Sequence, residues 1–141
     1  MAGEQPAEGP RWGSAEIMEL LDTLDGMQVG PAAEARKFPR LTCRHTAVFV
    51  SVSGQAVAAP SHLVQVRNIA RGGVCFLDRT SFPMGTRCRL DIRVSRTEWL
   101  KCQGQVVRSR PVAPDVSEMA IMFDAQISEA DVQKVTKVIT P

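Results

Sequence analysis

The chain has no tyrosine, two tryptophans and five phenylalanines among 141 residues. That leaves little for the exposed stacking platform with which small barrels hold single-stranded nucleic acid. Histidine is scarce too. His45 and His62 are the only two, and neither stands beside a recognisable nucleophile or carboxylate pair, which argues against acid–base or nucleophilic catalysis. There is no P-loop or Rossmann glycine signature. The four cysteines, Cys43, Cys75, Cys88 and Cys102, show no CxxC spacing, and three of them lie within apolar runs. Buried thiols in a reducing compartment fit that pattern, and a disulfide framework does not. Cys43 and His45 would share a strand face, but a metal would need further ligands from scattered positions; both read better as core residues. No apolar run approaches the ~18–20 residues of a membrane helix, and the acidic N-terminus lacks the apolar segment of a signal peptide. The reading is a soluble, cytoplasmic protein.

What the sequence does have is segregated charge. Residues 1–35 carry seven acids and one base, residues 36–110 carry fourteen bases against three acids, and residues 111–141 carry five acids and two lysines. A basic middle between acidic ends implies an anionic partner for the middle. Thirteen of the seventeen bases are arginine, the side chain suited to bidentate phosphate contacts and to stacking on flat rings. A GC-rich coding preference is the alternative source of that excess.

Residues 1–13, rich in Pro, Gly and Glu, read as a disordered tail. Residues 14–27 read as an amphipathic helix: Ser14 can cap it, Ile17, Leu20, Leu21 and Leu24 form one apolar stripe, and Gly26 can end it. So short a helix is marginal alone, so its stripe must pack on the main domain or on another copy, and a homodimer is one way to cover it. Residues 28–35 are a linker. From Leu41 the period becomes two, and "LTCRHTAVFVSV", "HLVQVRNI", "GGVCFLD", "TRCRLDIRV", "KCQGQVVRSR" and "EMAIMFDA" read as six strands. "GQAVAAPS", "RTSFPMG" and "RPVAPDVS" read as the turns between them. Six short antiparallel strands should close into a small barrel over residues 36–127, since closure removes edges. Residues 128–141 read as a second helix, with Ser128 and Asp131 at capping-box spacing and Val132, Val135 and Ile139 on one face.

Two short stretches carry the functional reading. "RKFPR" places Arg36 and Arg40 four apart around Phe38, and "NIARGG" places Asn68 five residues before Gly73. In this order and on this strand pattern the chain resembles the PilZ domain family, whose pattern is an N-terminal RxxxR followed by (D/N)xSxxG on a turn between strands. "FPMGTRCRLDI", Gly104 before "VVRSR", and "AIMF" match further family landmarks, and the likeness covers roughly residues 34–125. The resemblance implies a mainly β fold, a six-stranded antiparallel barrel of PilZ type with a short N-terminal and a C-terminal helix. It also implies a bacterial receptor for cyclic di-GMP that needs no cofactor and is not an enzyme.

By that resemblance Arg36 and Arg40 would grip guanine edges and phosphates, with Lys37 nearby, and Asn68 would meet a guanine from the barrel. Guanine O6 and N7 and the phosphodiester oxygens both accept an arginine fork. Taken alone, Asn68 is equally an Asx-turn residue, Gly72 and Gly73 a tight turn or a close backbone approach, and Arg71 a phosphate ligand or a solvated loop residue. One position departs from the pattern. Ala70 stands where most binders have serine, and losing a hydrogen bond to a charged group costs about 1.5–3 kcal/mol, roughly ten- to a hundredfold in affinity. Because the arginines lie on a linker, ligand binding could order it and move the helix before it toward or away from an effector protein. Two other readings stay open: a PilZ-like adaptor that has lost nucleotide binding, and a small barrel for single-stranded nucleic acid.

Overall fold

The computed structural model describes residues 12–26, 41–43, 48–52, 62–95 and 97–137. They form helix α1 (Ala15–Gly26), strands β1 (Leu41–Thr42), β2 (Val48–Val52), β3 (His62–Ala70), β4 (Gly73–Asp78), β5 (Arg87–Arg93), β6 (Trp99–Ala113) and β7 (Val116–Phe123), and helix α2 (Glu129–Lys137). All strand pairings are antiparallel. One edge of β3 meets β2 near His62–Val64 and β1 at Asn68–Ile69, while its other edge meets β4. From β2 the order runs through β5, β6 and β7 to β4, which returns to β3. The sheet therefore closes on itself as a six-stranded barrel, the architecture expected, with β1 and β2 together serving as the first strand.

Alternation fills the interior. Val64 and Val66 of β3, Val74 and Phe76 of β4, Leu90 and Ile92 of β5, and Met119, Ile121 and Phe123 of β7 belong to one buried cluster. Ile69 joins them only three residues after Val66. A bulge between Val66 and Asn68 accounts for this: one extra residue shifts the phase of the strand, so Arg67 and Asn68 both project outward. The apolar face of α2, Val132 and Val135, joins the same interior cluster with Ile127. The Ser128 Oγ accepts the Asp131 amide at 3.0 Å, capping α2 as its sequence suggests. Ile139 lies outside the described residues.

Helix α1 packs on the outside of the barrel. Ile17, Leu21 and Leu24 bury against Leu77 of β4 and Val116 of β7, with Leu20 at the margin. The expected stripe is thus covered by the chain's own barrel. Trp12 and Gly13 precede the helix as a bonded turn. The Trp12 indole donates to the Leu63 carbonyl at 3.1 Å, the Gly13 amide donates to Gln65 Oε1 at 2.7 Å, and the Arg79 guanidinium sits 4.3 Å from the Trp12 ring centre.

One turn is shorter than the sequence suggests. "RPVAPDVS" is mostly strand, because β6 runs to Ala113 and β7 starts at Val116. Pro111 is tolerated at a ladder irregularity between Pro111 and Ala113. Pro114 and Asp115 alone make the turn, with Asp115 at φ 60°, a conformation aspartate accepts more readily than most residues. The loop before β5 uses Gly85 at φ 89°, whose amide donates to the Val106 carbonyl at 2.7 Å.

All four cysteines are buried thiols. Burial pushes the Cys88 and Cys102 thiols up to about 11 from 9.0. Their ionisation is thus suppressed in the fold and freed on unfolding. The sign follows: stability is unaffected below pH 9 and falls as pH climbs from about 9 toward about 11. Urea unfolding at pH 8 and pH 10 should show the midpoint dropping, and Cys88→Ala/Cys102→Ala should flatten that dependence.

Candidate functional site

The β3–β4 hairpin carries the second motif. Ala70 pairs with Gly73 across a turn of Arg71 and Gly72. Asn68 is 7% exposed and lies within β3, paired with Thr42 on one side and Cys75 on the other; it is not an Asx-turn residue. Ala70 is also buried. Neither Gly72 nor Gly73 has a positive φ. Gly73 is required by proximity instead: a Cβ there would collide with the Ile121 carbonyl. The same constraint holds at Gly104 against the Met122 carbonyl.

Arg71 serves the architecture. Its carbonyl accepts the Ile127 amide at 2.9 Å and its Nε donates to the Ile127 carbonyl at 3.1 Å. The Gly72 carbonyl accepts the Phe123 amide at 2.9 Å. The hairpin tip is thereby tied to the segment that leads into α2.

Arg36, Lys37 and Arg40 lie outside the described residues. The chain directly after them is placed: Leu41 pairs with Ile69 and Thr42 with Asn68. The strand following "RKFPR" is therefore laddered to the "NIARGG" strand at the asparagine itself. Among the described residues no group of three or more His, Cys, Asp or Glu is placed to hold a metal.

The side chain the sequence reading passed over is Arg67. It is fully buried. Its Nε donates to Asp25 Oδ1 at 2.9 Å, one Nη to the Leu24 carbonyl at 2.8 Å, and the other to Glu118 Oε2. Glu118 is also fully buried, and its Oε1 accepts from Arg110 Nε at 2.9 Å and Arg108 Nη2 at 3.3 Å. Burial works against the Arg67 charge, but the bonds to Asp25 and Glu118 outweigh it and hold the guanidinium above its usual value. The Leu24 bond also satisfies a carbonyl in the last turn of α1, where positive charge is favourable. On the surface, Arg87 and Asp124 form a two-pronged pair, which raises the arginine and lowers the carboxyl.

Removing one member of a buried ion network strands the rest, at about 3–5 kcal/mol. Arg67→Ala should lose stability on that scale in urea unfolding, and amide exchange in α1 should quicken more than exchange in β5. Unchanged protection of α1 would contradict the latch.

Comparison with known proteins gives these observations a family. The PilZ domain model matches residues 34–140, more than half of the chain. Comparison with curated protein sequences finds no match. Among solved structures, the PilZ domain with c-di-GMP of YcgR from Escherichia coli aligns at TM-score 0.52 and 12% identity, over 72% of this chain and 88% of that one. The K. pneumonia MrkH–c-di-GMP complex aligns at 0.50 and 13%, over 72% and 49%. The Bacillus subtilis inhibitor of motility, MotI/DgrA, aligns at 0.46 and 20%, over 72% and 48%. This chain thus spans about half the length of the last two proteins. With the closed barrel, the paired motif strands and the family match in hand, the chain belongs to the PilZ domain family.

Proposed function

We propose that this chain is a receptor for cyclic di-GMP, acting through its N-terminal segment and not as an enzyme. The supporting observation is the ladder between Leu41–Thr42 and Asn68–Ile69. It fixes the strand emerging from "RKFPR" against the strand of "NIARGG", as a site drawing on both motifs requires. In this reading Arg36 and Arg40 clamp guanine and phosphate, with Lys37 adding charge. Asn68 meets the base, Gly73 keeps the hairpin close to its neighbour strand, and Arg71 braces the tip. Relatives of similar fold, the YcgR PilZ domain and MrkH, were solved with c-di-GMP.

The output would be a change in the contacts of the N-terminal segment. The linker that carries the clamp begins where α1 ends, and α1 is latched to the neighbouring part of the same barrel wall through Arg67. Engagement of the linker by ligand would pull on that latch and expose or withdraw the helix from an effector protein. Ala70 favours a second reading, a ligand-blind adaptor, because it removes the hydroxyl donor near the hairpin.

Titration calorimetry at physiological salt, with GTP and a short single-stranded oligonucleotide alongside, separates these readings. Saturable binding of cyclic di-GMP alone is expected, and Arg40→Ala should abolish it while leaving the melting temperature unchanged. Equal binding by the variant would remove the clamp from the account; silence of the parent would favour the adaptor. Ala70→Ser should tighten binding by about tenfold, the worth of one hydrogen bond to a charged group.

A further inference from the structure

The outer face of the barrel beside the hairpin contains an arginine that neither motif includes. A continuous row of cross-strand neighbours runs Asn68, Cys75, Ala120, Arg108 across β3, β4, β7 and β6. Cys75 and Ala120 are small, so the space above the two middle strands is open to a long side chain from either end. Arg108 enters it: its Nη2 lies 3.5 Å from Cys75 Sγ. The Arg108 side chain thus reaches past Ala120 of β7 to Cys75 of β4, the direct cross-strand neighbour of Asn68.

Its bonding there is incomplete. Nη2 reaches Glu118 Oε1 at 3.3 Å, a long contact to an oxygen already bonded by Arg110 at 2.9 Å. Its Nε is shielded from solvent and has no hydrogen-bond partner among the described residues. A buried donor without an acceptor is costly, and an anion at this place would satisfy it. The side chain is nevertheless 36% exposed, so a turn of the guanidinium on its own side-chain bonds would bring Nε to the outside.

We propose that Arg108 is a further ligand-binding residue of this domain, donating from Nε to a phosphodiester oxygen of the dinucleotide. This rests on the receptor reading above. It also bears on Ala70: in this chain a donor that most relatives place on the hairpin would come from β6 instead. Arg110, two residues along, shares Glu118 but pairs across with Glu118 itself, outside the Asn68 row, and takes no part in the site.

The test combines affinity with a signal from the donor. In the parent, the Arg108 Nε–H resonance is identified in a proton–nitrogen spectrum by its absence from Arg108→Lys. It should move downfield when cyclic di-GMP saturates the protein. Arg108→Gln should weaken binding about tenfold or more, and Arg108→Lys, which keeps charge but loses the fork, should also weaken it. Arg110→Gln should bind as the parent does. A parent that binds cyclic di-GMP with the Nε–H signal unmoved overturns the Arg108 assignment and leaves the receptor reading intact. So does equal weakening by Arg108→Gln and Arg110→Gln, which marks an effect through Glu118. Should Arg108→Gln fail to fold, parental affinity in Arg108→Lys overturns it equally. A parent that does not bind overturns both.

Discussion

The buried guanidinium of Arg67 is the constraint around which this molecule is arranged. Removing such a group from water is costly unless every donor finds an acceptor, and here the acceptors come from two different parts of the chain. Asp25 and the Leu24 carbonyl belong to the end of α1, and Glu118 belongs to β7. Neither part can be removed without leaving charge stranded in an apolar setting. The apolar contacts of Ile17, Leu21 and Leu24 hold the helix to the wall, while the ion network fixes where along the wall it rests. Greasy surface alone gives little control of such sliding; a guanidinium with directional donors gives much more.

Glu118 extends this arrangement. It is shared by Arg67 on the helix side and by Arg108 and Arg110 on β6. The helix latch and the barrel face beside Asn68 therefore draw on one carboxylate. Any change in how tightly Arg108 holds that oxygen alters the field felt by Arg67, with no need for movement of the barrel strands. Such a link suits a domain whose wall is rigid and whose attached helix is short.

Much of this was legible in the amino acids. Ile17, Leu21 and Leu24 show their face at helical spacing, and the alternation of Cys88, Leu90 and Ile92 is that of a strand with one side inward. The order of "RKFPR" and "NIARGG" carried the family. Arg67 and Glu118 were not legible, because a polar residue at an outward strand position ordinarily faces water, and only the docking of α1 converts that side into interior. A signal was available: Leu77 and Val116 are apolar at outward positions of β4 and β7, next to the strand positions of Arg67 and Glu118, which marks a covered wall. The "RPVAPDVS" stretch misled because two prolines suggest a loop, whereas one sits at a ladder irregularity and the other in a two-residue turn.

The bulge in β3 has a consequence for how the strand divides its work. In an unbroken ladder, Arg67 and Asn68 would point to opposite sides, and one of them would be driven into the oil of the interior. The additional residue lets two consecutive polar side chains stand on the same side, the first serving the helix and the second facing the hairpin. It is thus chain length at one point, and no particular side chain, that keeps the helix tether and the buried asparagine adjacent on a single strand.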